Sequence, residues 1–195
     1  MKQKGSRLGS IVDFTKLPSQ FPTHKQTSEF WEVLGRTVAT FGFLEEVLGK
    51  AIFSLTATTQ YPENKIEDAY EKWLPKLERT LSDPLGGLID TFGKAVRDNH
   101  ASTIVNLEDL IIDLRNISVL RNVLCHASWR PTNDNNKSRP FFVNRQNEIF
   151  DSDVDLDYLQ RTQIGTTELA CAVINTVTSM GYSFPGSNGP GENIW

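Results

Sequence analysis

A chain of 195 residues suits one domain with room for a sizeable core. Its apolar and charged fractions, 38% and 23%, are those of an ordinary globular protein, and a formal net charge of −4 excludes broad electrostatic coating of a nucleic acid. Any contact with DNA or RNA must come from a local basic site, and no stretch is long and apolar enough to cross a bilayer.

Residues 1–27 hold scattered Pro, Gly, Ser and Lys without a period and are expected as an N-terminal arm. Its basic start, Met1 to Arg7, is followed by no apolar segment, so a cytoplasmic protein is expected. Thr27 or Ser28 can cap a first helix with Glu29 in its opening turn. Trp31, Leu34, Val38, Phe41, Leu48, Ile52 and Leu55 then recur three or four apart, or in multiples of that spacing. A second helical stretch carries Ile66, Tyr70, Trp73, Leu77 and Leu81, with a kink or break expected at Pro75. Asp83 and Pro84 suit the cap and first position of a third helix, whose apolar face is Leu85, Leu88, Ile89, Phe92 and Val96. The fourth helix is predicted from about Ser102 to Ala127, with the stripe Leu107, Leu110, Leu114, Ile117, Arg121 and Leu124. Residues 131–140 are loop, and residues 141–143 with 148–150 suit a short hairpin. Asp153 is the expected cap of a last helix that Gly181 stops, leaving 182–195 as a flexible tail.

The expected fold is therefore all-α. It is a bundle of four to five main helices over residues 28–181, with a small β-hairpin insertion after the fourth. Cys125 and Cys171 lie far apart in helical patterns and are expected as buried free thiols. No Cys/His spacing suits zinc. The acidic run Asp151 to Asp157 lacks the Gly and terminal Glu of an EF-hand and suits a helix start instead, so neither a metal nor a cofactor is expected. Trp73 and Trp129 suit packing better than base stacking, and His24 and His100 suit surface or helix-end positions.

The run Arg121-Asn122-Val123-Leu124-Cys125-His126 closes the fourth helix. A guanidinium holds phosphate oxygens and an imidazole moves protons near neutral pH, so this turn carries the parts for phosphodiester chemistry. Asn122 and His126, four apart, share one face. Arg121 interrupts an apolar stripe, and a charge so placed needs an anion. The first helix offers Glu45, where its own stripe continues from Phe41, and the two charges are expected to meet at a polar site cut into the bundle. The alternative is that Leu44 carries the stripe and Glu45 flanks it in solvent. His126 can equally be a helix-end residue facing the macrodipole, with Arg121 in a structural ion pair.

These residues resemble the R-x4-6-H signature of the HEPN superfamily, with Asn122 as the polar residue after the Arg. The run Leu120 to Trp129 is similar to Arg-Asn-x-x-x-His-Gly-x-Trp runs in several HEPN families, and residues 43–48 resemble the first core helix of such domains. The resemblance implies a metal-independent endoribonuclease, with Arg121, Asn122 and His126 catalytic and Glu45 supporting. Its products would be a 2′,3′-cyclic phosphate and a 5′-hydroxyl. Because one helix supplies one imidazole, it also implies a homodimer with a composite site. Lys137, Arg139, Arg145 and Arg130 are expected RNA contacts, although a solvated loop explains them as well. A toxin or phage-defence role, with an antitoxin or regulatory partner, is implied as well. Ser128 stands where some families carry a modified Tyr, which puts control by adenylylation in doubt. The alternatives are a non-catalytic module that binds a nucleotide, RNA or protein in the same cleft, and a helical interaction or immunity protein.

Overall fold

The computed structural model describes residues 11–100 and 105–187. The basic start Met1–Arg7, the expected helix start at Ser102 and residues 188–195 lie outside the described residues. Among the described residues there are five α-helices: α1 Ser28–Ala57, α2 Ile66–Leu81, α3 Leu85–Asp98, α4 Leu107–His126 and α5 Leu156–Ser179. Short 3-10 turns occupy Phe14–Lys16 and Glu63–Lys65. The all-α bundle is thus present, and none of its described helices is long and apolar enough to cross a membrane.

The long helix α1 is the axis of the bundle. Thr27 caps it by accepting from the Phe30 N–H at 3.2 Å. It packs most extensively against α5, then α3, and carries the buried residues Phe41, Leu44, Val47, Leu48, Ile52 and Leu55. Facing them are Ile89, Phe92 and Val96 of α3, Leu114 of α4, and Leu159, Val173 and Val177 of α5. The Thr37 hydroxyl donates back to Val33 O at 2.8 Å and across to Leu159 O at 3.3 Å, which ties α1 to the start of α5. Gly49 admits the side chain of Leu81, whose Cδ2 comes within 2.9 Å of where a Cβ would stand.

Several local expectations shift. Pro75 does not break α2, which runs unbroken through it. Pro84 itself is the N-cap of α3, with no side-chain cap bond, so Asp83 is not the cap. Asp155, two residues beyond the expected Asp153, caps α5 by accepting from the Tyr158 N–H at 2.8 Å. Asp153 is instead paired with Arg139. Both cysteines are free but exposed, each one position round the helix from buried neighbours. Gly181 ends α5 at a positive φ of 85°, as its lack of a Cβ allows. Residues after it continue onto the bundle: Phe184 is buried, and the Tyr182 hydroxyl donates to Asn99 Oδ1 at 3.0 Å.

The expected hairpin is not formed as a strand pair. The turn is there: Asn144 Oδ1 accepts from the N–H groups of Gln146 and Glu148, and Asn147 takes a φ of 63°. The ladder is not, because the N–H and C=O of Phe141 both pair with Ser128, two residues past the end of α4, and not with the returning segment. What remains is three isolated antiparallel bridges: Ser128 with Phe141, Ser138 with Val154, and Val143 with Ile149.

Asp155→Ala is expected to cost about 1 kcal/mol, a fall in Tm of roughly 2–4 °C. The Tyr158 N–H, and then Lys137, hold this carboxyl below its ordinary value of 3.8. Its contribution is therefore complete above that value and lost as the pH falls through the lowered one. Thermal melts from pH 7 down to the acid limb check both: the gap between wild type and variant should close only in the acid limb.

Candidate functional site

The site is built where α4 crosses α1. Arg121 is half-buried, and its guanidinium donates to Glu45 Oε1 at 3.3 Å. A second nitrogen of the same group donates to Asn122 Oδ1, also at 3.3 Å. The side chains keep 27% and 30% of their exposure at Arg121 and Glu45, so the pair is sheltered without being sealed from water. Such a pair is worth on the order of 1 kcal/mol or less, and its use is orientation more than stability.

Leu44 is fully buried, so the apolar stripe of α1 runs through Leu44. Glu45 flanks that stripe and still meets Arg121. Both sequence expectations hold in part: the charges do pair, and they do so at the edge of the core.

Asn122 and His126 are exposed and share a face of α4. Arg121 starts about 140° round the helix from His126 and about 7.5 Å below it, by standard helical geometry. Its guanidinium reaches the side chain of Asn122, the residue that shares a face of α4 with His126. Among the described residues His126 has no hydrogen bond or ion pair, and its imidazole is open to solvent.

The helix ends where it does because the next residues are held elsewhere. Trp129 meets Phe30 edge-on at 5.0 Å and Trp31 at 6.5 Å, both at the start of α1. The Trp31 indole N–H donates to Thr23 O at 3.0 Å, and Gln26 donates its amide to Arg130 O. Trp129 is thus a packing residue, and it fixes the end of α4 that carries His126.

The expected RNA contacts divide into two groups. Arg130, Lys137 and Arg139 line one open cleft of about 400 Å3 with Phe141, Phe150 and Asp153. Arg130 lies over the Phe141 ring at 5.3 Å. Lys137 pairs with Asp155 at 3.2 Å and Arg139 with Asp153 at 2.8 Å, so both charges are already met locally. The hydrogen bond to Asp153 also holds the Arg139 guanidinium above its ordinary pKa. Arg145 stands apart on the exposed turn, without an ion pair among the described residues.

α4 also carries apolar residues on its outward side. Between Leu114 and Val123 no residue of α4 is buried, and Ile112 and Val119 are 54% and 58% exposed. They lie seven residues apart, and His126 is seven further on. All three therefore lie on one outward seam, in steps of about 10.5 Å. The signal was in the sequence as apolar residues outside the main stripe at heptad spacing.

Among the described residues no group of His, Cys, Asp and Glu is arranged to hold a metal. No family model, curated protein or solved structure matches the chain.

Proposed function

We propose that this protein is a metal-independent endoribonuclease of HEPN type that acts as a homodimer. The observation that supports this reading is the Glu45–Arg121–Asn122 chain of contacts, which ties a guanidinium to the residue that shares a face of α4 with the exposed His126.

The chemistry uses the ribose 2′-hydroxyl as nucleophile. One His126 imidazole takes its proton as the oxygen bonds to the adjacent phosphorus. Arg121 meets the growing negative charge on the phosphoryl oxygens. The bond from phosphorus to the 5′-oxygen breaks, and the imidazole of the second copy protonates the leaving oxygen. The products are a 2′,3′-cyclic phosphate and a 5′-hydroxyl. Pairing two copies along the Ile112–Val119–His126 seam supplies both imidazoles to one interface and covers the apolar groups that a single chain leaves in water. The protein would serve as a toxin or defence effector, restrained by a partner protein.

A second reading is a non-catalytic module that binds RNA or a nucleotide at the same place. It is favoured by the carboxylate already beside Arg121, which leaves the guanidinium a hydrogen-bond donor to a bound phosphate but with less to offer the charge that grows in a transition state. Incubation of the purified protein with RNA, followed by mapping of the ends, separates the two. Cyclic phosphate and 5′-hydroxyl ends that persist in EDTA support the nuclease. Bound but intact RNA supports the second reading.

Glu45→Gln tests the positioning of Arg121. The loss of one half-sheltered ion pair should lower stability by about 1 kcal/mol or less, while a misplaced guanidinium should slow cleavage by roughly tenfold. Wild-type rate and wild-type melting in the variant would remove Glu45 from the site.

A further inference from the structure

A second concavity lies away from this site, beneath α2. It has a volume of about 670 Å3 and is formed by the C-terminal part of α1 with α2 and α3. On α1 its walls begin at Ile52, seven residues or about 10 Å along the helix from Glu45. Few residues of α2 are buried, chiefly Leu77 and Thr80, so the helix roofs this space instead of filling it.

The floor is apolar, with Ile52, Leu55 and Leu77. Trp73 forms one side and is held in place: its indole N–H donates to Thr56 Oγ1 at 2.9 Å, and Phe53 and Tyr70 flank its ring at 5.9 and 6.0 Å. The hydroxyls of Thr59, Thr80 and Thr91 add hydrogen-bonding capacity to the walls. Lys65, the residue before α2, and Lys72 and Lys76 on one face of α2 line it as well. None of the three has an ion pair among the described residues. A fourth lysine, Lys94 of α3, is paired with Asp98 at 2.6 Å, and Asp68 is the other acid on the rim.

We infer that this pocket binds a small organic phosphate carrying a planar ring, of about the size of a mononucleotide. Three ammonium groups along one side of the pocket, without an ion pair among the described residues, give it a positive local potential on a net acidic chain, which suits an anion. An apolar floor beside an immobilised indole suits a flat ring. Hydroxyl-lined walls disfavour an alkyl chain, which would leave those groups unpaired. The inference stands independently of the ribonuclease reading, because it uses none of Arg121, Asn122 and His126.

The test is the fluorescence anisotropy of a labelled adenosine triphosphate titrated with the full chain. Saturable binding is expected, displaced by unlabelled nucleoside triphosphates, at least about tenfold more weakly by inorganic tripolyphosphate, and not by palmitate. Lys72→Glu with Lys76→Glu should weaken binding by about tenfold or more, and both side chains are exposed, so folding should survive. The neutral Lys65→Ala, Lys72→Ala, Lys76→Ala variant should weaken it in the same direction if the charge-reversed one does not fold. Binding should persist in His126→Ala. No saturation by about 1 mM protein, indifference to the lysine changes, displacement by palmitate, or loss in His126→Ala would each overturn the inference.

Discussion

Purified protein carrying His126→Ala is expected to lose RNA cleavage by about 10²–10⁴-fold while keeping its helix content. The imidazole is exposed and takes part in no packing, so its removal takes nothing from the core. Its only structural contribution is at the negative end of α4, where a protonated His is worth about 0.3–1 kcal/mol. A role confined to that end would show as a small drop in Tm with cleavage intact, which is the outcome that sinks the catalytic assignment. Arg121→Ala should cost about 10²–10³-fold, since the developing phosphoryl charge loses its donor. Arg121→Lys should recover little, because a point charge cannot donate to Glu45, Asn122 and a phosphate in one plane. Residual activity in either variant that disappears in EDTA would point to a contaminating metal-dependent nuclease or to a different mechanism.

The second large effect concerns assembly. Ile112→Glu with Val119→Glu should convert a dimer into a monomer in light scattering and suppress cleavage with it. Each interface would then hold four new carboxylates in the place of four apolar side chains. Facing like charges cost several kcal/mol, so association should weaken by about a hundredfold or more. The fold should not suffer, because both side chains already face water in the single chain. A wild-type protein that is monomeric and still cuts RNA would refute the composite site, as would a double variant that stays dimeric.

The helices were legible because burial imposes a period that survives in one sequence. Thr27 and Gly181 mark the ends of α1 and α5 through a side-chain oxygen and a missing Cβ, both local chemistry. The pairing of Glu45 with Arg121 was also legible, as two opposite charges set against apolar faces of two different helices. Features that depend on a distant partner were not. Asp153 and Asp155 are equivalent cap residues by composition, and Arg139 and Lys137 decide which of them does what. The segment 141–150 has strand-like composition, yet the backbone of Phe141 is taken by Ser128, a pairing that no local pattern encodes. The exposure of Cys125 and Cys171 turns on a rotation of one residue round a helix, finer than an apolar stripe can resolve.

The contacts that create the site join far-separated parts of the chain: Phe30 with Trp129, Glu45 with Arg121, and Thr37 with the carbonyl of Leu159. α1 is made before its most extensive partner, α5, which comes after the other four described helices. A growing chain can form each helix in turn and still hold no assembled cleft. On the nuclease reading, a nascent chain has no means of cutting RNA until its fifth helix has emerged and docked on the first.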